Sequence, residues 1–244
     1  MTQSSFGSGF LFGVTAAGAA IMFAALQDVS VDFSGDLKLL YGQGQYPLEQ
    51  ARGKSKIDAK ATMGRIDPVL FNQLYFGAAQ SAGQILSAFG ETGTVPASST
   101  YTITAANGAT FSADLGVLNA TTGLWMTKVS SGPTTGQYSV NLTTGVYTFA
   151  VADASVPVKL YYTYTSAGTG ITITGANPVM GSVPYFKAVF NNTFNGKQST
   201  LTLFKCASSK LSLPAKQDDF TLPDLSFSAQ DDGFGNVFQY SANG

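Results

Sequence analysis

A chain of 244 residues without a single histidine has few routes to acid–base or metal chemistry near neutral pH. Ser-His-Asp and Cys-His catalysis are excluded, as is any imidazole-ligated metal. Cys206 is the only cysteine, so an intrachain disulfide and a thiolate cluster are excluded too. Its flanks Leu201, Leu203 and Phe204 mark it as an inert core thiol. Carboxylates remain. Asp218-Asp219 and Asp231-Asp232 could serve as paired catalytic acids or calcium ligands, but neither matches the Asp-x-Asp-x-Asp-Gly spacing, and solvated turns account for both. Gly7-Ser8-Gly9-Phe10 and Gly42-Gln43-Gly44 lack the further glycine and strand-to-helix setting of a dinucleotide loop. The sequons at Asn119, Asn141 and Asn191 have no recognisable export signal beside them. The expectation is a protein that is not an enzyme, with no cofactor, no metal and no catalytic residue.

The one concentrated feature is basic: Arg52, Lys54, Lys56, Lys60 and Arg65. Such a group can be a solvated strand face, an interface meeting the aspartates of a second copy, or a phosphate site. No aromatic is interleaved on that face, which disfavours nucleic acid. Charged residues make up only 11% of the chain, thirteen basic against fourteen acidic. A charge-poor, near-neutral surface suits a monomer badly, and points to surface covered by further copies. Met1 to Gln27 carries no charge at all. It lacks the basic start of a signal peptide, and its glycines and alanines make it small rather than greasy, so no membrane span is expected. The reading is an apolar N-terminal arm that packs on the domain or on a neighbour.

The elements that must position these residues are mostly strands. Val29, Val31 and Phe33 alternate with Ser30, Asp32 and Ser34. From Lys54 the alternation returns, with Lys54, Lys56, Asp58, Lys60 and Thr62 on one face and Ser55, Ile57, Ala59, Ala61 and Met63 on the other. Asp67 as N-cap, Pro68 at N1 and a terminating Gly77 predict one helix. Residues 78–99 give no clear pattern. Short strands rich in Thr, Val and Tyr are expected at 101–104, 124–129, 137–142, 146–151, 158–165 and 171–174. Tyr185–Asn192 and Gln198–Cys206 flank Asn195-Gly196, a strong hairpin signal, and a last strand is expected at 235–240. Lys210 to Asp232 holds most of the remaining charge.

In segment order the chain resembles a tailed-bacteriophage tail tube protein. The resemblance rests on Leu26-Gln27-Asp28-Val29-Ser30-Val31-Asp32-Phe33, on Lys38 to Pro47, on Ala51 to Ile57 and on Phe71-Asn72-Gln73-Leu74-Tyr75-Phe76-Gly77. A second block comprises Asn195-Gly196-Lys197, Ser209-Lys210-Leu211 and Lys216-Gln217-Asp218-Asp219-Phe220. Gly136 to Val140 and Gly145 to Phe149 resemble hairpins of phage virion proteins. The resemblance implies a mainly β fold, a β-sandwich or partial barrel with one packed α-helix, assembling into a multi-subunit β-barrel tube. It implies an N-terminal arm (1–27), a tail-tube core (28–90 and 181–244) and a β-rich elaboration or insertion (91–180). It further implies hexameric rings stacked into a conduit for DNA during genome ejection, in a virion tail made in the host bacterial cytoplasm. The implied partners are other copies, a sheath or terminator protein and a tape measure, with DNA passing unbound and no membrane. Because free bases would retard DNA, the expected inter-subunit contacts are Lys54, Lys56, Lys60 and Arg65 with acids such as Asp218 and Asp219. A secreted carbohydrate-binding or adhesin β-sandwich is the alternative, with Trp125 as its only tryptophan.

Overall fold

Period-two alternation builds most of this molecule, and the computed structural model describes residues 4–243 of it. The first three residues of the expected N-terminal arm therefore lie outside the described residues. In chain order the strands are β1 (Phe10–Thr15), β2 (Ala20–Met22), β3 (Leu26–Tyr41), β4 (Pro47–Met63), β5 (Ala79–Thr94), β6 (Thr102–Thr104), β7 (Phe111–Asn119), β8 (Thr127–Lys128), β9 (Gln137–Asn141), β10 (Val146–Phe149), β11 (Pro157–Thr174), β12 (Tyr185–Phe194), β13 (Lys197–Ser212), β14 (Asp224–Gln230) and β15 (Phe238–Ala242). The chain divides into two units, 1–79 with 173–244, and 80–172.

The first unit holds one sheet in the order β2-β1-β12-β13-β14-β4-β3, with β15 also paired to β13. Its apolar rows face a single core, with Leu11 from β1, Ala188 from β12, Leu203 from β13, Phe227 from β14 and Ala61 from β4 all buried. Val29 and Val31, on the last strand, pack on that same core, so the sheet curls into a partial barrel. Residues 10–22 of the expected arm are strands β1 and β2 of this sheet, β1 pairing antiparallel with β12. The Asn195-Gly196 turn joins β12 to β13 with both residues at positive φ, where asparagine and glycine are least strained.

One helical segment packs on the sheet. Asp67 caps it, its carboxylate accepting the N–H groups of Val69 and Leu70 at 3.0 and 3.1 Å, and Pro68 opens α1 (Pro68–Phe71). A π-helical turn, Asn72–Phe76, follows and ends on left-handed Gly77. Buried Asn72 ties off the exit, its side chain bonding the carbonyl and the N–H of Ala78, each at 2.9 Å. The helix seats closely because β1 has glycine beneath it. A Cβ at Gly13 would lie 2.7 Å from Leu74 Cδ1.

The second unit has two small sheets, β6-β10-β9-β8 and β5-β11-β7. Strand β5 covers most of the stretch whose sequence shows no pattern, and β11 merges two expected strands into one. The core joins Val117, Val158 and Leu160 to three tyrosines, Tyr138, Tyr147 and Tyr162. Their hydroxyls need partners once buried. The buried Asp114 side chain supplies two, accepting from Tyr138 at 2.9 Å and Tyr147 at 3.1 Å, and it pairs with Lys128 at 3.0 Å. Tyr162 donates to Glu91, which also accepts the Ala106 N–H at 2.9 Å. Burial, then the Asp114 carboxylate, pushes the Tyr138 and Tyr147 hydroxyls far above the usual tyrosine range. In the first unit, burial pushes the Cys206 thiol up to about 12, which leaves it an inert core group.

Candidate assembly surface

The alternation of β3 does not stop where the core stops. From Val29 on, its odd positions read Val29, Val31, Phe33, Gly35, Leu37, Leu39 and Tyr41, and its even positions read Ser30, Asp32, Ser34, Asp36, Lys38 and, as the one apolar exception, Leu40. Side chains two apart share a face, so all six apolar residues belong to one row. Val29 and Val31 reach the core, whereas Phe33, Leu37, Leu39 and Tyr41 stand in solvent, Leu37 at 63% exposure. Opposite Leu37 and Leu39 on β4 stand Arg52 and Gln50, so the apolar row is carried by β3 alone. The other edge of β3 pairs with no strand among the described residues. Beyond its base the β3–β4 hairpin is thus a two-stranded ribbon with both faces exposed, tipped by Tyr46 and Leu48. The alternation read from the sequence ends at Ser34. The continuing period-two pattern is the signal that would have extended it.

At the ribbon base a groove of about 560 Å³ runs between Phe33, Leu37 and Arg52 on one side and Val237 and Phe238 on the other. Phe33 meets Phe238 edge-on at 5.1 Å between centroids. A neighbouring depression of about 680 Å³ is lined by Val31, Phe190, Leu201 and Tyr240, and also by Asn192. The buried Asn192 donates to the Gly7 carbonyl at 2.8 Å, while its Oδ1 has no partner among the described residues.

The basic residues are placed differently from one another. Lys56 Nζ lies 2.7 Å from Asp58, and Lys60 Nζ lies 3.0 Å from Asp224. Asp58 also accepts from Ser228 at 2.8 Å, and Asp224 from Thr62 at 2.6 Å. The hydrogen bonds from Lys56 and Ser228 hold the Asp58 carboxyl below its usual range. Burial opposes ionisation of Asp224, but Thr62, Lys60 and the charge of Lys210 outweigh it, so that carboxyl is also lowered. Asp219 pairs with Lys216 at 2.9 Å in an exposed loop. Arg52, Lys54, Arg65 and Asp218 are exposed and make no ion pair among the described residues. Within the chain, the acid from its second half that meets Lys60 is Asp224. Asp224 opens β14, whose alternation Asp224-Leu225-Ser226-Phe227-Ser228 lies within the charged stretch 210–232, where no strand is expected from the sequence. Asp231 and Asp232 are turn acids, Asp231 accepting the Gly233 N–H at 2.6 Å and Asp232 the Phe234 N–H at 2.8 Å.

No family model matches this sequence, and no curated protein is a significant match to it.

Proposed function

We propose that the chain is a virion structural protein of the tail-tube kind, whose copies close into six-membered rings that stack as a conduit for DNA. The observation that carries this reading is the β3 row. Phe33, Leu37, Leu39 and Tyr41 are patterned for burial, yet they stay exposed among the described residues. A two-stranded ribbon is marginal by itself in water, and an open apolar edge invites pairing with another chain. Closing that edge within a ring of copies removes the liability, because a head-to-tail contact closes on itself while ring stacking continues. The resemblance of the sequence to tail tube proteins supplies the ring, the lumen and the virion tail, with sheath or terminator and tape-measure proteins as further partners.

Electron microscopy of the purified chain tests the reading. Six-fold rings or long hollow tubes support it, and a monomer unchanged with concentration overturns it. The double variant Leu37→Asp/Leu39→Asp is expected to abolish assembly and to leave the circular-dichroism spectrum and melting of the monomer unchanged.

A second reading has one observation in its favour. Trp125 is 60% exposed and lies 5.0 Å from the Tyr161 ring, an aromatic pair of the kind on which a sugar stacks. Loss of glycan binding on Trp125→Ala, in a chain that forms no rings, would favour a carbohydrate-binding module.

A further inference from the structure

Three asparagines in the chain are followed directly by glycine: Asn107, Asn195 and Asn243. Such a pair carries a latent reaction, because glycine has no side chain to shield its main-chain nitrogen from the neighbouring carboxamide. That nitrogen can attack Cγ of the asparagine and expel ammonia. The fold decides whether the two atoms can meet, and it treats the pairs differently. Asn243 precedes Gly244, which lies outside the described residues.

Asn107 is locked in place. Its main-chain N–H and its Nδ2 both donate to the Tyr162 hydroxyl, at 3.2 and 3.3 Å. The Gly108 N–H, which would be the nucleophile, donates to the Ala105 carbonyl at 2.9 Å. Gly108 is buried, and a Cβ built there would lie 2.5 Å from the Thr144 carbonyl oxygen. Closing a five-membered ring at this pair requires these contacts to open. Asn195 is the reverse case. With Gly196 it forms the tip of the β12–β13 hairpin, both residues exposed, at φ 49° and 74°. The Asn195 carboxamide and the Gly196 N–H make no hydrogen bond among the described residues, and a Cβ at Gly196 would meet nothing within 4 Å.

We infer that Asn195 is a site of spontaneous covalent modification, converted in water to aspartate and isoaspartate, while the fold protects Asn107 of the same chain. The Gly196 nitrogen loses its proton to solvent base and forms a bond to Asn195 Cγ. The Cγ–Nδ2 bond breaks and ammonia leaves, giving a five-membered imide. Water then opens the ring. Cleavage of the new Cγ–N bond gives aspartate, and cleavage at the main-chain carbonyl gives isoaspartate, whose main chain runs through Cγ. No oxidant or reductant takes part. Either product adds a negative charge at the tip. Isoaspartate also adds a carbon to the main chain of a two-residue turn, and turn length is what fixes hairpin register. The pairs nearest the tip, Phe194 with Lys197 and Thr193 with Gln198, bear that change. They adjoin the buried Asn192 and the contact between the Phe6 and Phe194 rings at 5.9 Å. The chemistry needs only the folded chain and water, and stands apart from the tail-tube reading.

Two measurements test this. In the first, the unaltered full chain is held in mildly alkaline buffer and sampled over time. Peptide mass spectrometry reads each asparagine–glycine pair, and enzymatic methylation of isoaspartate marks that product. Asn195 should convert at least about tenfold faster than Asn107, because hydrogen bonds must open before Asn107 can react. A smaller ratio in the folded chain overturns the inference, as does an Asn195 that reacts in urea and stays intact in the folded chain. In urea the two rates should converge. A contrast that persists there belongs to the neighbouring sequence and overturns the protective role of the fold. In the second, the isoaspartate form is separated by ion exchange and its amide hydrogen exchange is compared with that of the unmodified chain. Exchange should rise across 192–199 and stay unchanged in 80–172. Identical exchange across 192–199 overturns the effect on the hairpin.

Discussion

The two units of this chain handle polar groups in opposite ways. In the unit formed by 1–79 and 173–244, polar side chains are moved to one face of a large sheet, leaving a core of Leu, Ala, Met and Phe. In the unit 80–172, polar atoms are taken inside, where Asp114 and Glu91 anchor the hydroxyls of three buried tyrosines. An apolar core is forgiving of direction, so its strands can run on past it, as β3 does. A core tied by hydrogen bonds to two carboxylates is directional, and each missing partner strands a buried group. The first arrangement leaves an apolar strand row exposed beyond its core, and the second fixes two small sheets around a directional core.

Truncating each core by one residue breaks or sharpens this contrast. Phe227→Ala should cost about 3–5 kcal/mol, because Phe227 is buried and packs edge-on against Phe186 at 5.3 Å. Denaturant melts, with hydrogen exchange rising across β12 to β14, would measure it. A cost under about 1 kcal/mol would mean that this core is not the support described. Tyr147→Phe removes no carbon volume yet deprives Asp114 of a donor, so about 1–3 kcal/mol is expected, read in the exchange of β7, β9 and β10. If the loss is negligible, the tyrosine hydroxyls are bystanders.

Alkali offers a finer distinction. Tyr138 and Tyr147 have folded-state pKa values raised above the ordinary 10.0. Their protonated form is favoured in the folded state, so this contribution is complete below about pH 10 and is lost as pH rises beyond it. An isolated 80–172 fragment should therefore lose stability above pH 10 more steeply than its Tyr138→Phe/Tyr147→Phe variant. Parallel profiles would remove the carboxylate ties from the account. The smallest expected effect lies at the helix start. Asp67→Ala should cost about 1 kcal/mol through loss of its two capping bonds, visible as a small shift in denaturation midpoint.

Much of this architecture is written in local pattern. Alternation in 54–63, the Asp67-Pro68 start, the Gly77 stop and the Asn195-Gly196 turn each act within a few residues, so chain order suffices to read them. Residues 78–99 resisted because β5 is built from small residues, Ala, Ser and Gly, whose strand state is decided by pairing with β11 and not by their own preference. Strand β14 is not legible within the charged stretch 210–232 because it is half-buried and its outer face is polar.

The lack of histidine and of paired cysteines, the sparse charge and the mainly β character were determined by the sequence alone, since composition and nearest-neighbour periodicity are properties of the chain itself. Tertiary structure alone decided which lysine meets which acid. Lys60 and Asp224 are 164 positions apart and become neighbours only because β14 docks beside β4. It also decided that the apolar row of β3 outruns its core. A strand's alternation says which side wants to be buried, and only the fold shows where the burying surface ends.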